Sequence, residues 1–223
     1  MNPKYTAIIT GGTSGLGFET VKVLDRKGWR VATCGRRNAI IERIKKDSDN
    51  RILAEVCDIR IDSSISLFLG KVEDAFKGID VLVLNAADIG PVPLPTIENL
   101  ETRDLRMTFE TNFFGNFNFL KLALPLMRDG GIVVHITSDA AKEPYPGWAA
   151  YSSSKAAFDI LIKILNEELK ARRIKAFSFD PGDMNTAMHH LAIPDDRSPL
   201  KDPKVSAEEL FMEIRKRVGE HDE

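Results

Sequence analysis

The sequence is sparing in several respects, and each scarcity excludes something. Only two cysteines, Cys34 and Cys57, stand among 223 residues. So few cannot build a disulfide framework, match no metal-ligand spacing, and suit a reducing cytoplasm. A bridge between them requires their strands to be adjacent; buried free thiols are the expectation. No run of eighteen apolar residues occurs, so no transmembrane helix is expected. Residues 1–5 lead straight into an apolar run, so no secretory leader is expected. Basic charge is not in excess, since 31 Lys and Arg face 33 Asp and Glu for a net charge of −2. That balance carries no nucleic-acid footprint. Repeats and low-complexity segments are absent. What is present, 43% hydrophobic residues, suffices to bury one full core, and a single domain over 1–223 is expected.

Apolar runs and helical periods alternate along the chain. Strands are expected at 6–10, 30–34, 52–56, 79–87, 132–136 and 174–179. Between them Leu16, Thr20, Val21 and Leu24 mark one face of a helix that stops at Gly28. A second helix is expected at 38–46, and a third opens on a cap at Asp62-Ser63 and closes at Gly78. A long helix follows at 100–126, carrying Asn112 amid Phe109, Phe113, Phe114, Phe117 and Phe119. So many rings suggest core or subunit contact, whereas a polar amide among them must find partners. Gly130-Gly131 reads as the turn into the fifth strand. A last helix is expected at 206–218. Strands and helices alternating at these lengths mean an α/β fold, a parallel sheet covered on both faces. Right-handed crossovers make it doubly wound, a Rossmann fold of six strands.

The turn after the first strand reads Thr10-Gly11-Gly12-Thr13-Ser14-Gly15-Leu16-Gly17. Glycines there let the backbone approach a pyrophosphate, whose charge the following helix N-terminus stabilises. The second strand closes on Gly35, followed by Arg36 and Arg37. In dinucleotide folds an acid at this point accepts from the ribose 2′-hydroxyl. Two guanidinium groups instead suit a 2′-phosphate, which favours NADP(H) over NAD(H). Tyr151 and Lys155 are one helical turn apart, so an ammonium lies beside a phenol. Lowering a phenol pKa by about three units takes roughly 4 kcal/mol, which a lysine plus a cationic cofactor ring could supply. The glycine turn, Asp58, Asn85, Ser138 and Pro181-Gly182 all fall at strand carboxyl ends, where doubly wound sheets bind ligands.

With these motifs in this order, the sequence resembles the short-chain dehydrogenase/reductase family from Tyr5 to about Thr186. Gly11, Thr13, Ser14, Gly15, Leu16 and Gly17 are similar to its cofactor loop, and Asp58-Ile59 to its adenine-contacting pair. Leu84-Asn85-Ala86-Ala87 corresponds to Asn-Asn-Ala-Gly, with Ala87 acceptable only where φ is not positive. Pro181-Gly182-Asp183-Met184-Asn185-Thr186 resembles the segment that holds the nicotinamide carboxamide. The resemblance implies four catalytic residues. Tyr151 passes the proton and Ser138 holds the substrate oxygen. Lys155 lowers the tyrosine pKa and binds the ribose, and Asn112 keeps a water in a proton relay.

The resemblance breaks at the end, where the family's seventh strand is missing after 206–218. The family's tetramer contacts there are put in doubt, while homodimer pairing through the long helices is not. Residues 184–203 are expected to form a substrate lid, with Met188, Leu191 and Ile193 facing Tyr145 and Trp148. His189 and His190 are read as exposed lid residues and not a metal site. The resulting expectation is a cytoplasmic oxidoreductase exchanging a hydride between NADP(H) and a carbonyl or secondary alcohol, with no nucleic-acid or membrane partner. Two rivals are a catalytically silent NADP-binding regulator and a nucleotide-sugar epimerase or dehydratase. Intact Asn112, Ser138, Tyr151 and Lys155 argue against the first. About forty residues after the sixth strand are too few for the second.

Overall fold

The structure is a computed structural model that describes residues 5–219. Strand β1 (Thr6–Thr10) is buried at every position, as a run apolar on both faces requires in a sheet covered on both sides. Then come α1 (Gly15–Arg26), β2 (Arg30–Gly35), α2 (Asn38–Asp47), β3 (Leu53–Val56), α3 (Asp62–Phe76) and β4 (Ile79–Leu84). The second half holds α4 (Thr102–Phe109), α5 (Asn116–Ala123), β5 (Met127–Ile136), α6 (Ala149–Glu168), β6 (Lys175–Phe179), α7 (Ala187–Ala192) and α8 (Pro203–Gly219).

The sheet has six parallel strands in the order β3-β2-β1-β4-β5-β6. The order reverses between β1 and β4, the switch point at which such sheets bind ligands. One apolar layer packs α3, α5 and α6 against the sheet through Phe68, Phe119, Phe158 and Ile162. The other packs α1, α2 and α8 through Leu24, Ile41, Leu210 and Ile214. Each fully buried Phe or Leu contributes about 2–3 kcal/mol by leaving water.

Several boundaries differ from expectation for identifiable reasons. The helix expected over 100–126 is not regular, because a π-helical turn (Glu110–Gly115) separates α4 from α5. Asn116 Nδ2 donates to the carbonyls of Thr111 (3.1 Å) and Asn112 (3.2 Å) at the end of this wider turn. Gly130-Gly131 lies inside β5, not before it. The register shift between Ile79↔Met127 and Val81↔Ile132 makes the pair an irregularity within the strand. Ile61, not Asp62, is the N-cap of α3 and makes no side-chain cap bond. Lys77, in the left-handed region at φ 59°, rather than Gly78, ends that helix. Proline at the first position starts α8 three residues before the expected 206.

No helix among the described residues is long and apolar enough to cross a membrane. Cys34 and Cys57 are both buried free thiols.

Candidate functional site

A cavity of about 450 Å³ runs along the carboxyl ends of the strands. Its floor is the glycine turn. Gly11 has φ +70°, and a Cβ there would lie 2.9 Å from Ala86 Cα. A Cβ on Gly17 would come within 2.4 Å of Asn85 Nδ2. Asn85 stitches the turn to the sheet, donating from Nδ2 to Thr10 O (2.9 Å) and Gly11 O (3.3 Å). Thr10 Oγ1 in turn accepts from the backbone N–H groups of Asn85 and Ala86, both at 3.0 Å. Ala87 has no positive φ, so its departure from glycine brings no strain. The N-terminus of α1 has no side-chain cap and no acid in its first turn. Its orphan N–H groups, with the helix dipole behind them, face the cavity at Gly15 and Leu16. This cradle fits a dinucleotide pyrophosphate.

Toward β2 and β3 the wall turns basic. Arg36, Arg37 and Arg60 all line it. Arg37 Nη2 donates to Thr13 O (2.7 Å) and Thr13 Oγ1 (3.1 Å). Arg60 forks onto Asp58, with Nη2 to Oδ2 at 2.6 Å and Nε to Oδ1 at 3.0 Å, and holds that carboxyl below its ordinary pKa. Gly35 closes β2 without a side chain because a Cβ there would sit 2.6 Å from Thr13 Cγ2. A side chain at this position would require Thr13 to move.

At the other end stand Ser138, Tyr151 and Lys155, all on the cavity wall. Ser138 Oγ donates to Asp139 Oδ1 (2.8 Å), and Tyr145 Oη donates to Asp139 Oδ2 (2.8 Å). Lys155 is buried, its Nζ donates to Ile136 O at 2.6 Å, and it lies 5.7 Å from the Tyr151 ring centroid. Burial pushes the Lys155 pKa down to about 8. Tyr151 moves opposite to the direction expected from its lysine neighbour. Burial first, then the carboxylates of Asp180 and Asp139, push its pKa up. In this structure the phenol is therefore firmly protonated at neutral pH.

Asn112 does not reach the cavity. Its side chain lies fully buried, with Nδ2 donating to Asp88 O (2.8 Å) and Ser154 Oγ (3.0 Å), and Oδ1 accepting from Asp88 N (2.7 Å). Gly17 also stands behind the wall. The other residues named from the sequence line it: Gly11, Thr13, Ser14, Gly15, Leu16, Arg36, Arg37, Asp58, Ile59, Asn85, Ala86, Pro181, Gly182, Met184 and Thr186, with Ser138, Tyr151 and Lys155.

The substrate-side wall combines apolar and acidic groups. Ile89, Trp148, Met188 and Ala192 line it, along with Asp180 and Asp183. His189 corrects the sequence reading, because it is not an exposed lid residue. Its side chain is 9% exposed, lines the cavity, and meets Asp196 Oδ2 through Nε2 at 2.7 Å. That contact folds residues 189–196 back over the site. His190 is exposed, as expected. The lining residues Arg60, Asp180 and Ile89 carry no motif that would have singled them out, and Asp183 fills a variable position of the segment 181–186.

A family model described as short chain dehydrogenase matches residues 5–196. A serine 3-dehydrogenase of Agrobacterium fabrum is 31% identical over 183 residues, covering 81% of this chain and 72% of that protein. An NADPH-dependent aldehyde reductase-like chloroplast protein of Arabidopsis thaliana is 28% identical, covering 96% and 82%. The crystal structure of the KRED1-Pglu enzyme superposes with a TM-score of 0.86 at 27% identity, covering 95% of each chain. Together with the cradle and the fold, these matches make the chain a member of the short-chain dehydrogenase/reductase family, an oxidoreductase built to bind NAD(P)(H).

Proposed function

We propose that the protein is an NADP(H)-dependent reductase of a carbonyl compound, acting reversibly on the secondary alcohol, with Tyr151 as its general acid and base. The observation that carries this reading is the single cavity itself. It joins an uncapped helix N-terminus and three arginines at one end to Ser138, Tyr151 and Lys155 at the other. Bound there, the nicotinamide supplies the hydride. Gly11 to Leu16 seat the pyrophosphate, and Arg36 and Arg37 take the 2′-phosphate in place of an acid on β2. Asp58 and Ile59 flank the adenine, while Pro181, Gly182, Met184 and Thr186 border the nicotinamide. Ser138 Oγ gives up its bond to Asp139 and donates to the substrate carbonyl oxygen. Tyr151 Oη delivers its proton to that oxygen as the alcohol forms. Lys155, held as a cation, stabilises the phenolate left behind. Positioned proton donors of this kind contribute about 10²–10⁴-fold. Asn112 acts from behind, fixing the Asp88 loop and the helix of Tyr151 through Ser154.

The pocket also points to a substrate class. Its walls are apolar, the acidic side chains lining it are Asp180 and Asp183, and Asp139 stands just behind Ser138. Lys201 approaches Gly182 but is paired with Glu209 Oε2 at 2.8 Å. A neutral or ammonium-bearing carbonyl flanked by apolar groups is favoured over a carboxylate. Met107, Phe114, Phe117, Ile160 and Ile164 are exposed apolar side chains on α4, α6 and the intervening helical segments, which supports a homo-oligomer paired through these helices. Two unbridged thiols support a reducing cytoplasm.

The experiment is a panel of neutral, cationic and anionic carbonyls and alcohols, followed by NADPH absorbance and run in parallel with NADH. NADPH oxidation by neutral carbonyls is the expected result. Tight NADPH binding with no turnover on any member would instead identify a silent binder.

A further inference from the structure

Behind the cavity wall lies a polar cluster that the proposed chemistry has not yet used. Asp159 sits on α6 one turn beyond Lys155, half-buried under the sheet. Its Oδ1 accepts from Ser178 Oγ on β6 at 2.6 Å and meets His135 Nδ1 on β5 at 3.1 Å. Its Oδ2 accepts from Thr137 Oγ1 at 2.8 Å. His135 and Thr137 flank Ile136, whose carbonyl oxygen holds the Lys155 ammonium at 2.6 Å. One carboxylate thus grips the residues on both sides of the lysine's anchor, and ties them to the next strand.

We propose that Asp159 is a positioning residue, which fixes the Lys155 ammonium in place and supplies the negative charge that keeps it protonated. This rests on the reading of Tyr151 and Lys155 given above. The charge around Lys155 supports it. A buried ammonium is disfavoured by desolvation, and Asp159 is the group that opposes this, raising the pKa that burial lowers to about 8. His135 cannot act as a second cation. Burial and the Lys155 charge bring its pKa to about 4, so at pH 7 it is neutral. An ionised carboxylate only accepts, so Nδ1 carries the His135 proton and donates it to Asp159. The other charges near this end, Asp180 and Asp139, act on Tyr151 from the strand ends. The clamp is therefore directed at the lysine.

The test uses Asp159→Asn, which keeps size and an acceptor but removes the charge. In the cofactor-free protein with ¹³C-labelled lysine, the Lys155 resonance should titrate about half a unit or more lower than in the native chain. Carbonyl reduction near pH 8 should fall about tenfold in kcat, with substrate KM within about twofold, the split expected for lost transition-state stabilisation. Because the Lys155 ammonium is what stabilises the phenolate in this reading, the alkaline limb of the rate profile should move the same way. An unmoved Lys155 titration in folded Asp159→Asn overturns the proposal. Where that variant does not fold, Thr137→Val with Ser178→Ala removes two arms and keeps the charge. Reduction should then drop several-fold with the titration in place, and an unchanged kcat overturns the proposal equally. Tyr151→Phe separates the two readings: if it stays active, the proton-donor assignment has failed, whatever Asp159 does.

Discussion

The two ends of the cavity are built from different materials. The cofactor end is backbone and fixed charge: glycines of the β1–α1 turn, orphan N–H groups of α1, and guanidinium groups after β2 and β3. The substrate end is made of side chains from segments distant in sequence: Ile89 after β4, Trp148 before α6, Asp180 and Asp183 after β6, and Met188, His189 and Ala192 in α7. One end is basic and preorganised, because pyrophosphate recognition needs N–H groups that do not move. The other is apolar with an acidic rim, and its shape depends on where α7 rests. Backbone sites constrain sequence tightly, whereas side-chain sites can be rebuilt by substitution. Tyr151, the proposed proton donor, stands where the two meet.

The strongest way to break this division is at that junction. Tyr151→Phe should cut turnover by about 10³-fold or more while NADPH affinity, read by fluorescence titration, stays within a few-fold. Comparable losses in both would mean that the tyrosine belongs to the cofactor end alone.

Behind the wall shared by both ends, His135 makes stability pH-dependent. Its folded pKa of about 4 lies below the ordinary 6.5. The unfolded chain therefore takes up a proton first as pH falls, and stability declines between about pH 6.5 and 4. The contribution approaches about 3 kcal/mol for a fully buried group. Thermal melts of His135→Asn should show a shallower loss of Tm from pH 7 to 4 than the native chain. Parallel curves would refute the assignment.

At the basic end, Arg36→Ala with Arg37→Ala should weaken NADPH by about tenfold to a hundredfold and NADH by less than about threefold, with the gap narrowing as salt rises. Equal losses would remove the phosphate assignment. The smallest effect belongs to the acidic rim. Asp180→Asn with Asp183→Asn should raise kcat/KM for a carboxylate-bearing ketone by a few-fold and leave a neutral analogue within about twofold. A uniform change for both substrates would show that the rim does not sort by charge.

The same division decided what could be read from the chain. The cofactor end was legible because its physics demands rare residues at fixed spacing, such as glycines at 11, 15 and 17 where a Cβ or a negative φ is not tolerated. The doubly wound parallel sheet of six strands followed from alternation and handedness alone. The substrate end was legible only as a lid. Asp180 and Asp183 are common residues in a loop, and nothing local marks them as wall. His189 read as exposed because its burial depends on Asp196, seven residues on and across a bend. The π-helical turn escaped because its cause is a side chain, Asn116, bonding back to carbonyls four and five residues earlier. Gly130-Gly131 carries the composition of a turn but is used as a strand irregularity, a choice made by pairing with β4.

The contact between Gly35 and Thr13 has a consequence for the routes by which cofactor preference can change. A carboxylate at position 35 would recognise an unphosphorylated ribose, yet its Cβ would fall 2.6 Å from Thr13 Cγ2. Trimming Thr13 to alanine still leaves a Cβ–Cβ distance of 3.3 Å, and it also removes the hydroxyl that Arg37 grips. Positions 13, 35 and 37 are thus epistatic. Gly35→Asp introduced first meets a steric barrier, and Thr13→Gly introduced first loosens Arg37 before anything replaces it. An acid on β2 is therefore tied to a rearrangement of Thr13 and of the contact Arg37 makes with it, so the three positions are expected to change together.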